Sequence, residues 1–389
     1  MFQVTLKALY SRLLHGFTHL PDLGPTRCSQ TTLKALLAVL MALLLASCDA
    51  NVNVEVDTGD EPRPVKVVVV AMFEIGEDTG DRAGEFQLWK ERREYSEILP
   101  FQGYKDLHYN EDDDFLVMVT GIGTARAAAA TMALGMDPRF DLSKAYWLIV
   151  GIAGIDPEDA TVGSAAWAEY LVDGDLGHHI DAREIPEDWP FGYFPRYTTR
   201  PFDPDRPPPT GEMYRLNPEL TEWAYQLTKD IELPDDPSVQ KERDLYTEHP
   251  NAQGKPIVMK GDHIAALTFW HGKLLNDWAN QLVSYWTDGK GNMVTSAMED
   301  TGSYLSISWL DKIDRADKDR VMVLRMGSNF TMQPPSRTAA ENLLKETKGY
   351  KYAGLEIAVE SGYIVGSRVV DEIINNWDKY ESKTPQPDL

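Results

Sequence analysis

Two acids stand side by side in S-A-M-E-D, at Glu299 and Asp300, just ahead of a helical pattern. A carboxylate accepts two hydrogen bonds at once, which suits a cis-diol, and an acid at a helix start also answers the helix dipole. In R-M-G-S-N, Ser328 and Asn329 follow a short apolar run, and the Asn329 amide donates and accepts along one edge. Glu74 closes another apolar run, and Glu85 lies beyond a stretch rich in Asp, Glu and Gly. Either acid can orient a water molecule. In T-F-W-H-G, Trp270 offers a face for stacking on a flat ring and His271 a polar edge beside it. T-G-I-G leads through Gly123 and Thr124 to Arg126, a strand–turn–helix geometry that aims N–H groups at an anion. The same spacing also serves a plain tight turn. Arg126 and Arg325 are the cations a phosphate site would draw on. His178-His179 lack helical spacing to a third ligand, so no metal site is expected. Asp181, Arg183 and Glu184 read as an ion-pair cluster.

These groups need strands and helices to hold them. W-L-I-V-G-I-A-G, residues 147–154, reads as a strand buried on both faces. Its last residues, Ala153 and Gly154, let another group approach the backbone, and ligands sit at such strand ends in open α/β sheets. Further strands are expected at 67–71, 115–120, 162–172 and 321–324. Helices are expected at 85–99, 125–134, 217–230, 268–286, 301–310 and 352–377. Strands alternating with helices indicate a layered α/β fold. Residues 173–215, dense in Pro, Asp and aromatics, read as an insertion packed by its rings, a lid or an oligomer contact.

The chain has 389 residues and a formal net charge of −23, a surface that repels phosphate backbones and argues against nucleic acid. Its two cysteines, Cys28 and Cys48, both precede the folded body, so thiol catalysis and cysteine–zinc sites are not expected there. Residues 33–47 form a short apolar run ending in Leu45-Ala46-Ser47-Cys48, which resembles a bacterial lipobox. That resemblance implies lipidation at Cys48 and a bacterial cell-envelope location, lipid-anchored on the periplasmic or outer-surface side. On this reading 1–48 is a signal region, 49–63 a flexible tether, 64–380 the α/β domain and 381–389 a disordered tail.

The order A-M-F-E, T-G-I-G, V-G-I-A-G, S-A-M-E-D and R-M-G-S-N resembles the nucleoside phosphorylase and nucleosidase superfamily. Y-W-L-I-V-G-I-A-G-I-D-P-E, D-A-R-E-I-P and T-F-W-H-G are more closely similar to the purine nucleoside permease family. The resemblance spans 64 to about 378. It implies a three-layer α/β/α sandwich around a central mixed, twisted sheet. It further implies a purine nucleoside as ligand, with Met298 and Glu299 on the ribose and Asp300 beside them. Asn329, with Ser328, meets the base, and Ala153, Gly154 and Trp270 complete the substrate surface. Relatives carry Asp or Asn where this chain has Asn329, and an amide cannot transfer a proton. Glu85 or Glu74 would direct the nucleophile. Water makes the protein a nucleosidase, while phosphate held by Gly123, Thr124, Arg126 and Arg325 makes it a phosphorylase, with inorganic phosphate as co-substrate and no other cofactor. A third reading is capture of nucleosides for a membrane transporter, since the body beyond residue 48 offers no long apolar run. Relatives of this fold commonly associate, so a homo-oligomer is expected.

Overall fold

Strand β3 (Tyr146–Ile155) is the hub of the sheet. It pairs in parallel with β1 (Val67–Ala71) through Tyr146–Ile149 and in parallel with β8 (Val321–Phe330) along its length. At Gly154 and Ile155 it pairs antiparallel with β7 (Met293–Ala297). Beyond β1 lies β2 (Phe115–Val119), parallel to it, followed by two antiparallel strands, Leu107–Asn110 and Glu97–Leu99. Beyond β7 lie β6 (Asp262–Ala265) and β5 (Tyr170–Asp173), both parallel to their neighbours, with Met213–Arg215 antiparallel at the edge. The short β4 (Ala165–Trp167) runs antiparallel to β8 and parallel to Val258–Lys260. The computed structural model describes residues 61–347 and 352–387. The signal region, Cys48 and the tether up to residue 60 lie outside the described residues.

Alternation along the strands builds the layers. Val67, Val69, Leu148, Val150, Leu324 and Met326 face one side. There they meet α3 (Pro218–Thr228) and α7 (Leu355–Asn375) through Leu220, Trp223, Val365, Val369 and Ile373. Val68, Val70, Leu116, Trp147, Ile149 and Val323 face the other side, against Ala130, Leu134, Ile307 and Leu310 of α2 (Thr124–Gly135) and α5 (Asp300–Asp311). Each such valine, leucine, isoleucine or methionine contributes about 1.5–3 kcal/mol when fully buried. Burial on both faces is why these strands read as unbroken apolar runs. The architecture is a three-layer α/β/α sandwich with a mixed sheet.

Several elements differ from the sequence expectation. The helix expected at 85–99 is only α1 (Gln87–Arg92), because Glu97–Leu99 leaves it to pair with Leu107–Tyr109. The strand expected at 162–172 divides into β4 and β5, where Asp262 Oδ1 accepts the N–H groups of Glu169 (3.2 Å) and Tyr170 (2.8 Å). The helix expected from 268 begins at Lys273, as α4 (Lys273–Trp286), because Gly272 at φ 118° breaks the preceding turn. T-F-W-H is therefore a loop. The 173–215 insertion lies on α4, with Tyr193 edge-on to Trp278 at 5.0 Å and Phe202 against Tyr285 at 5.5 Å. The tail expected to be loose is tied as far as it is described. Glu381 O accepts from Arg320 Nη2 at 2.7 Å, and Gln386 Nε2 donates to Glu219 at 2.7 Å. Among the described residues no helix is long and apolar enough to cross a membrane.

Candidate functional site

The carboxyl ends of β1, β3, β7 and β8 open into one cleft of about 710 Å³, counted with the solvent at its mouth. From β3 come Ile152, Ala153 and Gly154, and from the end of β7 come Ser296 to Glu299. From β8 come Ser328 and Asn329, adjacent residues that an unbroken strand would send to opposite faces. The register between β8 and β3 shifts between Gly327 and Asn329, and this bulge lets both side chains line the cleft. Glu85 enters from the loop before α1, and its N–H donates to Phe73 O at the end of β1 (3.1 Å). Trp270 lines the cleft and packs edge-on to Trp278 at 6.0 Å.

Glu299 stands at the N-cap of α5, buried. Its Oε1 accepts Gly123 N–H (3.0 Å), and its Oε2 accepts Met298 N–H (3.2 Å) and Arg325 Nη2 (3.1 Å). Burial pushes its pKa up and Arg325 works against that rise. Glu85 is held by two backbone donors, Met72 N–H on Oε2 (2.8 Å) and Ile152 N–H on Oε1 (2.7 Å). Burial raises it to about 8, with Arg325 lowering and Glu299 adding. Gly151 makes room for this pair: a Cβ there would lie 2.5 Å from Glu85 Oε1 and 2.6 Å from Arg325 Nη1. Asn329 Oδ1 accepts from Ser328 Oγ (3.0 Å) and Nδ2 donates to Phe330 O (3.2 Å).

Six expected site residues lie elsewhere. Glu74 is spent on structure, its carboxylate accepting the N–H groups of Ile75, Gly84, Phe86 and Gln87 at the start of α1. It does not line the cleft, so its expected role in directing water is corrected. Asp300 lies behind Glu299, fully buried, and grips Arg325 Nε (3.0 Å) and Nη2 (2.8 Å). Against the effect of burial, Arg325 and His263 hold its carboxyl well below the usual range. Arg325 is correspondingly unavailable to phosphate: its remaining reach goes to Ile152 O (2.9 Å) and Glu299. Gly123 N–H is taken by Glu299, and Thr124 Oγ1 donates to Met298 O (2.7 Å). Arg126 is exposed on α2 and does not line the cleft.

The cleft also uses residues that sequence reasoning passed over. Phe269 lies parallel to Tyr352 at 6.2 Å, and both line the opening, with Phe73 and Ile122. Thr331 Oγ1 donates to Asn276 Oδ1 (2.6 Å), and Asn276 donates to Asp156 (3.0 Å), tying α4 to the cleft floor. Thr331 comes beside Gly154 through the pairing of β8 with β3, which no local pattern announces. His271 is buried under α6 (Ala339–Thr347), with Nε2 3.3 Å from Asn342 Nδ2, and burial lowers it to about 4. Among the described residues no three His, Cys, Asp or Glu side chains gather as a metal-holding group.

Acids and an amide thus converge on one apolar-walled cleft of a layered α/β domain, at the strand ends where ligands sit in open α/β sheets. The chain belongs to the purine nucleoside permease family (NUP), whose family model matches residues 64–385. A purine nucleoside permease of Candida albicans strain SC5314 is 29% identical over 330 residues, covering 82% of this chain and 77% of that one. A Schizosaccharomyces pombe protein named "Probable purine nucleoside permease" is 28% identical over 331 residues, covering 80% of this chain and 90% of its own. These relatives are fungal, which overturns the bacterial cell-envelope location expected from Leu45–Cys48. Among solved structures, a 5′-methylthioadenosine/S-adenosylhomocysteine nucleosidase from Neisseria meningitidis is 15% identical with a TM-score of 0.47, over 80% of this chain and 99% of that one. A futalosine hydrolase of Helicobacter pylori is 15% identical at 0.47, over 79% and 98%. The layered architecture stands on the strand pairing above and not on these two likenesses.

Proposed function

We propose that the protein binds a purine nucleoside in this cleft and cleaves its N-glycosidic bond with water, giving purine base and ribose. One observation carries the reading. Glu299, from the start of α5, and Asn329, from the bulge of β8, line the same cleft with Glu85, although 244 residues separate the outermost two. Glu299 takes the sugar hydroxyls, and the Asn329 amide takes the base edge with Ser328 holding its oxygen. Ionised Glu85 accepts a proton from water as that oxygen bonds to the anomeric carbon and the bond to the base breaks. Negative charge at Glu299 stabilises oxocarbenium character in the sugar. The leaving base is held by a hydrogen bond from Asn329 and takes its proton from solvent.

Water is favoured over phosphate because the groups that would hold phosphate are committed. Arg325 serves Asp300, Glu299 and Ile152, and Gly123 N–H serves Glu299. A second reading, capture of nucleosides for a membrane transporter without chemistry, draws on Asn329, which has no proton to transfer, and on Glu85, which keeps its proton up to about pH 8. One assay separates the readings. The full chain is incubated with inosine or adenosine, with and without phosphate, and released base is measured by chromatography. Base released equally in both supports hydrolysis. Base released only with phosphate refutes it in favour of phosphorolysis, and tight binding with no base released leaves capture.

A further inference from the structure

We infer that His263 is a positioning residue for the sugar-binding carboxylate, acting through Asp300 and Arg325 without touching the ligand. The inference rests on the nucleoside reading above. His263 is wholly buried on β6, one strand away from the cleft. Its Nδ1 lies 2.9 Å from Thr295 Oγ1, on β7, where the two residues are paired in register. Its Nε2 lies 2.8 Å from Asp300 Oδ2. The ring is therefore held by its contact with Thr295 at Nδ1 and by the close approach of Nε2 to a carboxylate.

The consequence reaches Glu299 through the aim of one nitrogen. Arg325 Nη2 lies 2.8 Å from Asp300 Oδ2 and 3.1 Å from Glu299 Oε2. Two carboxylates thus share one guanidinium end, each taking one of its two hydrogens. His263 steadies Asp300, and Asp300, gripping Nε and Nη2, sets the plane of the guanidinium so that the second Nη2 hydrogen meets Glu299. Without His263, Asp300 is free to turn, and the guanidinium it grips turns with it. Glu299 then keeps only its two backbone donors, Gly123 and Met298, and loses the cation that holds its charge and its angle toward the cleft. An acid whose only task was to start α5 would need no histidine, since the helix dipole already favours it.

The test uses the full chain, with affinities for inosine and 2′-deoxyinosine measured by calorimetry and folding checked by thermal melting. Loss of one charge-assisted contact at Glu299 should weaken inosine binding about tenfold or more in His263→Leu. 2′-Deoxyinosine offers Glu299 one hydroxyl fewer, so its affinity should fall less and the gap between the two sugars should narrow. His263→Gln, whose amide nitrogen can stand where Nε2 stands, should recover inosine binding to within about threefold of wild type. A folded His263→Leu that binds both nucleosides as wild type does, or loses both equally, overturns the inference. Should His263→Leu not fold, His263→Asn decides: its shorter amide reaches the Thr295 side alone, and sugar discrimination equal to that of His263→Gln overturns the inference. Wild-type protein that binds neither nucleoside defeats the parent reading. Wild-type protein that binds both while the variants are unaffected defeats the role of His263 alone.

Discussion

Replacing Glu85 by Gln separates chemistry from fold, because this side chain is necessary to the one and costly to the other. Burial pushes Glu85 up to about 8 from its ordinary 4.5. At pH 7 about a tenth of folded molecules then carry it ionised, so base release should climb about tenfold per pH unit and level off above the folded pKa. The stability effect has a definite sign. Between 4.5 and about 8 the folded state holds a proton that the unfolded chain has released, so stability falls as pH rises through this window. The whole window is worth about 5 kcal/mol, and the part below pH 7 about 3 kcal/mol. Glutamine never ionises, but its NH2 must face either Met72 N–H or Ile152 N–H, and a stranded donor costs about 1–3 kcal/mol. Glu85→Gln should therefore equal or slightly exceed wild type in urea unfolding at pH 7. At about pH 9 it should exceed wild type by about 2–4 kcal/mol. It should release no base at either pH. Base release by Glu85→Gln at the wild-type rate refutes the reasoning, as does a wild-type rate that stays flat across the window.

Two more substitutions probe the ends of the cleft. Glu299→Gln removes the charge paired with Arg325 and one acceptor for the sugar. Inosine affinity by calorimetry should fall about tenfold to a hundredfold, whichever reaction follows. Asn329→Asp gives the base edge a group able to pass a proton to it. Chromatography should show base release rising about tenfold under hydrolysis, whereas capture without chemistry predicts none in either protein.

Much of the fold was legible because the central strands are buried on both faces. Val67–Ala71 and Trp147–Val150 have no polar side to confuse the reading. The errors fall where a distant partner decides. Nothing local in 162–172 announces a break, since it is set by the carboxylate of Asp262. Similarly, 85–99 reads as one helix until Ile98, a β-branched residue, is seen opposite His108 in an antiparallel pair.

The site was legible in its residue types but not in their allegiances. Glu74 and Glu85 are both acids flanking one loop, and only packing distinguishes them. Four backbone N–H groups converge on Glu74 and make it a structural cap. Glu85 instead meets two donors, with the cleft open beside it. Arg325 shows the same limit from the cationic side. In sequence an arginine beside a glycine–serine turn invites an anion, and it has indeed found one, but the anions are Asp300 and Glu299 of its own chain. The adjacency of two acids in S-A-M-E-D held that information. One acid at a helix start answers the dipole, and a second one, buried behind it, requires a cation from elsewhere in the fold.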